Sequence, residues 1–576
     1  MQGLIIRLLS RVCLNEWRGI MLNYWWVTRP KRKLDSVPEV LATFADISLN
    51  QEWSGQRGTQ MAYEEALEKA GLKRVGARRD QSGSGGRTYG AWLVSLGLIF
   101  NQTKTGNIKL TLAGEAIMNG DSPVDVLKGQ VLKYQFPSAF SLGRGVQVNS
   151  RFKIRPFRFL LKLMSDDRLS RYITQEEIAK IAAVDAENET TAVYEMVVKK
   201  ILRFRENGNS CLDPAFFELY KPGRGNVNPD HPYSHLEDMA NTMINWLEYT
   251  QLAKRNDEKQ LVILDEKQQE VDEILFSVPP FIERPADHEF FQRKYGLDPK
   301  HRKDTRNLDK TKTVTARIIA EQKIKAAYIR LSLLKPITGI TPKLIEDITE
   351  ETGITIDLVE EILRKAYPHG SVGAFMASYF EMAFKGREEC TEFEVATTEL
   401  FRDVFGYDAR HLGQTGSKSA PDILLLSDSD GYQAVIDNKA YSKYSISGDH
   451  HNRMVHNYLE RIHTYSSSSY PIGFFAYIAG GFGKTIDKQI QDEVRESGVH
   501  GSGITVSNFI KMIENQQNGI RKYSHGDLRT IFSLDRQVML KDVFEGGRSA
   551  FLYNVPEPTP QLIGLVAEQS YFLGDN

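Results

Sequence analysis

The stretch "PDILLLSDSDGYQAVIDNKAY", from Pro421 to Tyr441, predicts a β-hairpin that carries two acids and a lysine at one end. "DILLL" is a short apolar run, "SDSDG" is rich in turn-forming residues, and "YQAVIDNKAY" has strand composition. Because side chains alternate faces along a strand, Asp437 and Lys439 project from the same side of the second strand. Asp422 begins the first strand, so it lies near the same edge of the sheet if the hairpin pairs in register.

The segments around this hairpin predict a mixed α/β core. Residues 392–407 have the apolar spacing of an amphipathic helix. Residues 471–481 read as a third strand, and residues 503–513 as a fourth strand that runs into a helix. The C-terminal part is therefore predicted to be a mixed sheet flanked by helices.

Two carboxylates and an ammonium at one sheet edge are suited to the hydrolysis of a phosphodiester. Mg²⁺ takes few, well-placed oxygen ligands and keeps several waters, and the candidate ligands are Asp422, Asp437 and the main-chain carbonyl of Asn438. Such a metal polarises a phosphate oxygen and lowers the pKa of a bound water. Lys439 then orients or deprotonates the attacking water, or offsets charge in the transition state. The spacing alone is weakly specific, because P-D followed fifteen positions later by D-x-K arises by chance in many long chains.

The N-terminal part has the element order of a winged helix. Residues 60–70 have helical spacing, "TYGAWLVSLGLIF" reads as a helix, and "NQTKTGNIKLTLAGEAIM" reads as a turn, a strand and a further helix. An ordinary α+β module is the alternative. Arginine pairs with guanine edges or phosphates and glutamine pairs with adenine, and glycines in the loop between Lys73 and Arg87 allow a close backbone approach to DNA. The candidate DNA-binding residues are Arg78, Arg79, Gln81, Arg87 and Lys104.

The middle of the chain is predicted to be mostly helical. Thr174 and Glu177 have the spacing of a capping box, which fits either a second helix-turn-helix or a capped helix in a bundle. Residues 295–313 are strongly basic and lack apolar periodicity, so they either touch phosphates or form a solvated connector. Residues 315–365 read as a helical connector between two functional halves.

These patterns predict a multi-domain α/β chain with a winged-helix and helical DNA-recognition part before the nuclease part. The predicted divisions are a tail or misassigned start with Met21 as the working start (1–25), a winged-helix-like recognition domain (26–150), a second helical recognition domain (151–290), a helical linker (291–366) and the cleavage domain (367–576).

Composition limits the class of protein and its partners. The chain of 576 residues has 73 Lys and Arg against 74 Asp and Glu, so a nucleic-acid partner has to be held by local basic patches. Its three cysteines are far apart and form no C-x-x-C pair, which argues against a disulfide scaffold and fits a reducing cytoplasm. No apolar window reaches the length of a membrane span.

The segment from Glu394 to Tyr441 resembles the cleavage domain of FokI-type restriction endonucleases, which is a PD-(D/E)XK nuclease. The similar stretches are "TELFRDVFGYDARHLG", "APDILLL" and "YQAVIDNKAYS", and the likeness extends over roughly 368–514. The resemblance implies Asp422 and Asp437 as metal ligands, Lys439 as the catalytic lysine and Glu399 in a supporting role. Asn438 departs from the threonine that relatives often carry, and its side chain is expected to point away from the site.

The N-terminal half is similar to the AlwI family of type IIS restriction enzymes, which includes strand-specific nicking enzymes. The similar stretches are "TYGAWLVSLGLIF", "LTLAGEAIMNGDSPVDVLKGQVLKYQFPS" and "YGLDPKHRKDTRNL". This resemblance implies that the N-terminal part recognises a short asymmetric site in double-stranded DNA. The C-terminal nuclease then cuts a few base pairs away with Mg²⁺, and a cognate DNA methyltransferase belongs to the same system.

The FokI-type resemblance also implies a transient homodimer on DNA, formed through the helix that follows the D-x-K strand. Here that helix is predicted over Gly448–Tyr465, with reciprocal polar contacts from Arg453, His456, Glu460 and Arg461. Three alternatives stay open: a strand-specific nicking enzyme that acts as a monomer, a DNA-binding protein with an inert nuclease domain, and a repair or junction nuclease.

Overall fold

The computed structural model describes residues 21–75, 83–138, 147–222, 231–284, 287–308, 315–386, 389–413 and 420–545. The chain divides into two compact units, Met1–Lys385 and Gly386–Asn576. The cleavage-domain boundary predicted at 366/367 lies earlier in the chain than this division.

The N-terminal unit is mostly helical. Its longer helices are α1 (Val37–Ser48), α2 (Arg57–Lys69), α3 (Ser84–Ser95), α4 (Leu112–Met118), α5 (Pro123–Lys133), α6 (Pro156–Met164), α7 (Thr191–Asn207), α8 (Ser234–Tyr249), α9 (Gln268–Phe276), α10 (His288–Tyr295), α11 (Ala316–Leu334), α12 (Pro342–Thr352), α13 (Ile356–Ala366) and α14 (Met376–Met382). Short helical segments at Gln175–Glu177, Ile178–Ala182 and Ala183–Asp185 follow directly on one another.

The predicted capping box is confirmed at the start of these short segments. Thr174 Oγ1 accepts a hydrogen bond from the Glu177 N–H at 3.3 Å, and the Glu177 carboxylate accepts one from the Thr174 N–H at 2.8 Å. Two otherwise unpaired backbone donors are satisfied in this way, which stabilises the start of the helix.

Three small sheets accompany these helices. β1 (Met21–Leu22) pairs in parallel with β4 (Gln147–Val148), and β2 (Ile99–Asn101) pairs antiparallel with β3 (Ile108–Leu110). The third sheet has the strand order β5-β7-β6 and contains β5 (Tyr172–Ile173), β6 (Ala253–Arg255) and β7 (Leu261–Ile263).

Helices α1, α2 and α3 precede the β2–β3 hairpin. The order of α2, α3, β3 and α4 is the one predicted from the sequence, whereas α1 and β2 were not predicted. We call residues 37–118 the hairpin module. The helix predicted from "TYGAWLVSLGLIF" ends earlier than expected, at Ser95. Gly97 has a φ of +70°, which turns the chain out of the helix and into β2.

Residues 287–308 contain α10 and the described part, 295–308, of the basic segment predicted over 295–313, and they pack onto the hairpin module rather than form a solvated connector. Tyr295 is 2% exposed, and its hydroxyl lies 3.2 Å from the Ser95 carbonyl oxygen. The Gln292 side-chain amide donates to the carbonyls of Val94 and Ile99 at 2.8 and 2.9 Å. Part of the predicted linker therefore belongs to the fold of the N-terminal unit.

One apolar cluster runs through the N-terminal unit from Leu22 to Tyr367, so the boundaries predicted at 150/151 and 290/291 do not separate independent cores. Trp25 is fully buried, and its indole N–H donates to the Ala186 carbonyl at 2.9 Å. The described end of the predicted tail is thus packed into the core. None of the described helices is long and apolar enough to cross a membrane.

The C-terminal unit is built on a six-stranded mixed sheet with the order β13-β12-β11-β10-β9-β8. β8, β9 and β10 pair antiparallel, whereas β10 to β13 pair in parallel. The strands are β8 (Asp408–His411), β9 (Ile423–Ser427), β10 (Tyr432–Lys439), β11 (Ile472–Ala479), β12 (Gly501–Thr505) and β13 (Arg536–Val538). The predicted mixed α/β architecture is therefore confirmed, although the sequence did not predict β8 or β13.

Helices accompany this sheet. They are α15 (Cys390–Asp403), α16 (Ile486–Ser497), α17 (Val506–Gln517), α18 (His525–Phe532) and α19 (Leu540–Glu545). The single helix predicted over 448–465 is divided into an α-helical Gly448–Asn452, a π-helical Arg453–Leu459 and a 3-10 turn Ile462–Thr464.

We expect Gly97→Ala to destabilise the protein by about 2 kcal/mol or more. The new Cβ would lie 2.6 Å from Gln130 Nε2 and 2.6 Å from a Tyr295 ring carbon, on a backbone with positive φ. Gly129→Ala is the matched control, because Gly129 lies in α5 and an alanine Cβ there would have nothing within 4 Å. This control should stabilise by about 0.5–1 kcal/mol through helix propensity. Denaturant unfolding measures both changes, and equal stability of Gly97→Ala and the wild type would contradict the docking of 287–308.

Candidate active site

The register of the β9–β10 hairpin brings the two predicted acids together. Ile423 pairs with Ile436, so Asp422 and Asp437 are the next residues at the same edge of the sheet. The Asn438 N–H donates to Asp422 Oδ2 at 2.7 Å, which fixes the Asp422 side chain across the strand pair. The predicted hairpin and its alignment are both present.

Lys439 completes the group on the same face of β10 as Asp437. Its Nζ lies 2.5 Å from Asp437 Oδ2, and the two side chains are 13% and 5% exposed. Asp422, Asp437 and Lys439 are therefore collected in one largely buried site, as the strand alternation predicts.

Burial dominates the electrostatics of this site. It raises the pKa of Asp422 well above its usual range, and the charges of Asp437 and Glu394 raise it further against the opposing effect of Lys439. Burial also disfavours the charge on Lys439, but Asp437 and Asp422 outweigh it and the pKa of Lys439 is raised. The lysine is thus an ammonium that balances part of the negative charge of the two acids.

An acid of helix α15 that contributes to the electrostatics of this site is Glu394, which sequence reasoning did not single out. Its carboxylate lies 2.9 Å from His411 Nε2, and its charge contributes to the raised pKa of Asp422. The predicted Glu399 lies five residues later on the same helix and is half-buried, and its supporting role stays a prediction. In the sequence, Glu394 is marked only by lying next to the apolar residues of α15. Which face of α15 is buried is decided by its packing on β10, so the sequence alone could not identify this acid.

The Asn438 side chain points away from the acids, as expected for the residue between two inward-facing positions. Its amide donates to Thr397 Oγ1 at 2.6 Å and to the Phe393 carbonyl at 3.2 Å, both on α15. These contacts hold the helix against β10. The role of the Asn438 main-chain carbonyl as a metal ligand stays a prediction.

The donor set suits a hard divalent cation. Among the described residues, no three His, Cys, Asp or Glu side chains converge to form a metal site by themselves. Mg²⁺ needs only one or two carboxylates beside waters and substrate phosphate oxygens, and Asp422 and Asp437 can supply two. A bound cation would also offset the repulsion that raises the pKa of Asp422.

A second buried acid lies behind the site. Tyr477 pairs with Asp437 across β10 and β11, and its hydroxyl donates to Glu493 Oε1 at 2.9 Å. Glu493 is fully buried, and this burial, with a further contribution from Asp437, raises its pKa to about 8 against the effect of the Tyr477 hydrogen bond. The sequence does contain a pattern that could have identified Glu493. This acid lies on the same face of α16 as the apolar residues Ile486 and Ile490, where a buried side chain is expected.

The residues of the predicted dimer helix make contacts within their own chain. Arg453 lies 2.7 Å from Asp449, and His456 lies 3.1 Å from Glu460 and 3.2 Å from Glu496. Arg453 is half-buried, whereas His456, Glu460 and Arg461 are exposed. The reciprocal contacts between two copies stay a prediction.

The predicted DNA-binding residues are placed only in part. Arg87 is half-buried in α3 and donates to Gln60 Oε1 at 3.1 Å, and Lys104 is exposed between β2 and β3. Arg78, Arg79 and Gln81 lie outside the described residues.

Two family models match parts of the chain. Residues 353–539 match "FokI, cleavage domain", and residues 124–220 match "Type II restriction endonuclease HgaI, N-terminal domain". Together the two matches support a type II restriction enzyme with a FokI-like cleavage domain. They do not separate the AlwI family from other type II enzymes.

Individual proteins show more distant likeness. The type II restriction enzyme StsI of Streptococcus sanguinis is 29% identical over 136 residues, which are 22% of this chain and 21% of that enzyme. The structure of restriction endonuclease FokI has a TM-score of 0.26 at 13% identity, covering 90% of this chain and all of that one. The DNA-complexed binding domain of the BpuJ1 endonuclease has a TM-score of 0.34 at 16% identity, covering 48% of this chain and 96% of that one. Scores this low do not establish a shared fold.

We expect Glu493→Gln to change the pH dependence of stability. A carboxyl whose pKa is raised to about 8 in the folded state stabilises most below its unfolded pKa, and that stability is lost as the pH rises through about 8. Glutamine mimics the protonated acid and keeps an acceptor for Tyr477. The Tm of the variant minus that of the wild type should therefore rise from about pH 5 and level off above about pH 8. Parallel Tm curves over this range would contradict a buried, neutral Glu493.

Proposed function

We propose that this protein is a type IIS restriction endonuclease of the AlwI kind. Its N-terminal unit recognises a short asymmetric site in double-stranded DNA, and its C-terminal unit hydrolyses phosphodiester bonds a few base pairs outside that site. The observation that carries the proposal is the buried group of Asp422, Asp437 and Lys439 at one sheet edge, inside the segment that matches the FokI cleavage domain.

In this proposal Asp422 and Asp437, with the main-chain carbonyl of Asn438, hold Mg²⁺ beside the scissile phosphate. When bound, the metal supplies Lewis-acid activation of the phosphate and of a water. Lys439, held by Asp437 at 2.5 Å, presents an ammonium that orients the attacking water and offsets charge on the phosphate. Glu394 holds His411 beside Asp422 and keeps that edge of the site polar.

DNA recognition is assigned to the N-terminal unit, with Arg78, Arg79, Gln81, Arg87 and Lys104 as contacts. The element order of the hairpin module, three helices followed by a β-hairpin, supports this assignment. An enzyme that cuts a short site also endangers the DNA of its own cell, so the proposal includes a cognate methyltransferase and a cytoplasmic location. Cys211 and Cys390 form no disulfide in the described part of the chain, which fits a reducing compartment.

For cleavage of both strands, we propose a transient dimer of the cleavage unit on DNA. A single hydrolytic site faces one strand, and the exposed His456, Glu460 and Arg461 lie on the surface available to a second copy. The contacts of His456 with Glu460 and Glu496 in the same chain favour the alternative of a strand-specific nicking enzyme, because these polar groups already have partners.

We expect Asp422→Ala, Asp437→Ala and Lys439→Ala each to lower the rate of DNA cleavage by about a hundredfold or more while DNA binding is retained. Each change removes one member of the charged group that holds the metal or faces the phosphate. Asp428→Ala is the matched control, because Asp428 is an exposed acid in the turn of the same hairpin. Plasmid cleavage in Mg²⁺ measures the effect, and wild-type cutting by Asp437→Ala would refute the assigned site.

We expect the rate of double-strand cleavage to rise more steeply than in proportion to protein concentration at fixed DNA. A transient dimer predicts this order, since the second copy joins from solution. Single-turnover cleavage of supercoiled plasmid over a range of protein concentrations measures it. Strict first-order dependence with a nicked circle as the end product would identify the nicking enzyme instead.

A further inference from the structure

A cleft of about 1140 Å³ opens on the N-terminal unit between the β2–β3 hairpin and the segment 287–304. Thr103 forms the hairpin side of this cleft. The residues that present charge on the opposite side include Lys294, Arg302 and Lys303. We call this feature the basic cleft.

Three acids line the basic cleft: Asp304 and Glu289 are turned into its wall, whereas Asp287 is exposed and accepts a hydrogen bond from the Phe290 N–H at 3.1 Å. Asp304 has a side chain that is only 3% exposed and accepts hydrogen bonds from Arg293 and Arg306 at 2.9 Å each. Glu289 accepts from the Thr103 N–H at 2.8 Å and lies 3.5 Å from Arg293. These two carboxylates are neutralised within the wall and contribute little negative charge to the opening.

The cations of the basic cleft face outward. Lys294, Arg302 and Lys303 are all exposed, and within the described ranges neither Lys294 nor Lys303 forms an ion pair with an acid. Lys104 is exposed next to Thr103 on the hairpin. The opening of the cleft therefore carries a local positive charge, although the chain as a whole is nearly neutral.

The backbone that carries these cations is held in place. Gly296 accepts a hydrogen bond from the Ala113 N–H at 2.8 Å, and the Leu308 carbonyl accepts one from Gln102 Nε2 at 2.6 Å. Arg306 donates to the Leu110 carbonyl at 3.2 Å. The hairpin and the basic segment are thus joined by hydrogen bonds into one folded surface. Binding of a ligand to this surface does not require a disordered segment to fold.

We propose that the basic cleft binds the phosphodiester backbone of double-stranded DNA. The inference rests on the proposed function and adds a second, sequence-independent contact to it. Lysine and arginine neutralise phosphates and release counterions, which supplies affinity and fixes register without base readout. Lys104, which follows Thr103 in the hairpin, adds a further cation for the phosphates beside the cleft.

The test is the triple variant Lys294→Ala, Arg302→Ala and Lys303→Ala in the full-length chain, titrated with a labelled DNA duplex of arbitrary sequence. Log K falls as log salt rises, and the loss of one phosphate contact makes this slope shallower by about 0.9, so its magnitude should decrease by up to about 2.7 in the triple variant. At 0.1 M salt the affinity should fall by about eightfold for each cation that binds a phosphate. The decrease should be the same for duplexes of different sequence, which separates backbone contacts from base readout.

A matched control replaces three exposed lysines of the same unit that lie outside the cleft, Lys335, Lys343 and Lys365, by alanine. This control makes the same change in net charge and should keep at least most of the wild-type salt slope. A Tm equal to that of the wild type shows that the cleft variant is folded. If the triple variant does not fold, the single variant Lys303→Ala tests the same contact, with a proportionally smaller loss of affinity and of salt dependence.

The outcomes separate the two proposals. Wild-type affinity and salt slope in the cleft variant would overturn the basic cleft while leaving the proposed nuclease intact. An equal decrease in the control variant would also overturn it, since only net charge would matter. A wild-type protein that binds no duplex in any salt and cuts no plasmid in Mg²⁺ would overturn the proposed function itself. The same proteins are also titrated with polyglutamate. If the cleft variant loses a polyglutamate affinity that the wild type has, while its DNA binding is unchanged, the DNA assignment is overturned and the cleft binds an acidic protein partner instead.

Discussion

The antiparallel pairing of β9 with β10 is the constraint on which the candidate site depends. Ile423 opposite Ile436 places Asp422 beside Asp437, and a slip of one residue would turn Asp437 and Lys439 to the other face of the sheet. Strands β9 and β10 are buried on both faces, and β10 is paired with β9 along one edge and with β11 along the other. The position of β10 is therefore fixed by two neighbouring strands. The chemistry of the site is therefore a consequence of strand pairing in the centre of the sheet.

This arrangement places charge where water is excluded. Asp422 has its pKa raised by burial and by its neighbouring acids, and Lys439 compensates through its contact with Asp437. Behind them burial raises the pKa of Glu493 to about 8, against the effect of the hydrogen bond that it accepts from Tyr477. A site of this kind lowers the stability of the folded chain and provides a position that a cation and a phosphate can occupy.

The function proposed for the N-terminal unit sets a different requirement, because a nearly neutral chain would have to attract a polyanion. Its basic segment returns to the hairpin module and is fixed there by Gln292 and Tyr295. Asp304 and Glu289 form hydrogen bonds in the wall, and Lys294 and Lys303 remain exposed. Local separation of charge, rather than net charge, gives the surface that we propose for the DNA backbone.

The sequence by itself determined the local features: the hairpin, the shared face of Asp437 and Lys439, and the capping box of Thr174. These follow from alternation along a strand and from hydrogen bonds between near neighbours, which a few adjacent residues specify. Only the tertiary structure decided that Glu394 acts on Asp422, that Glu493 lies behind Tyr477, and that the segment 287–308 docks on the hairpin module. Each of these depends on which face of a helix is buried and on contacts between distant parts of the chain, and those are set by packing of the whole unit.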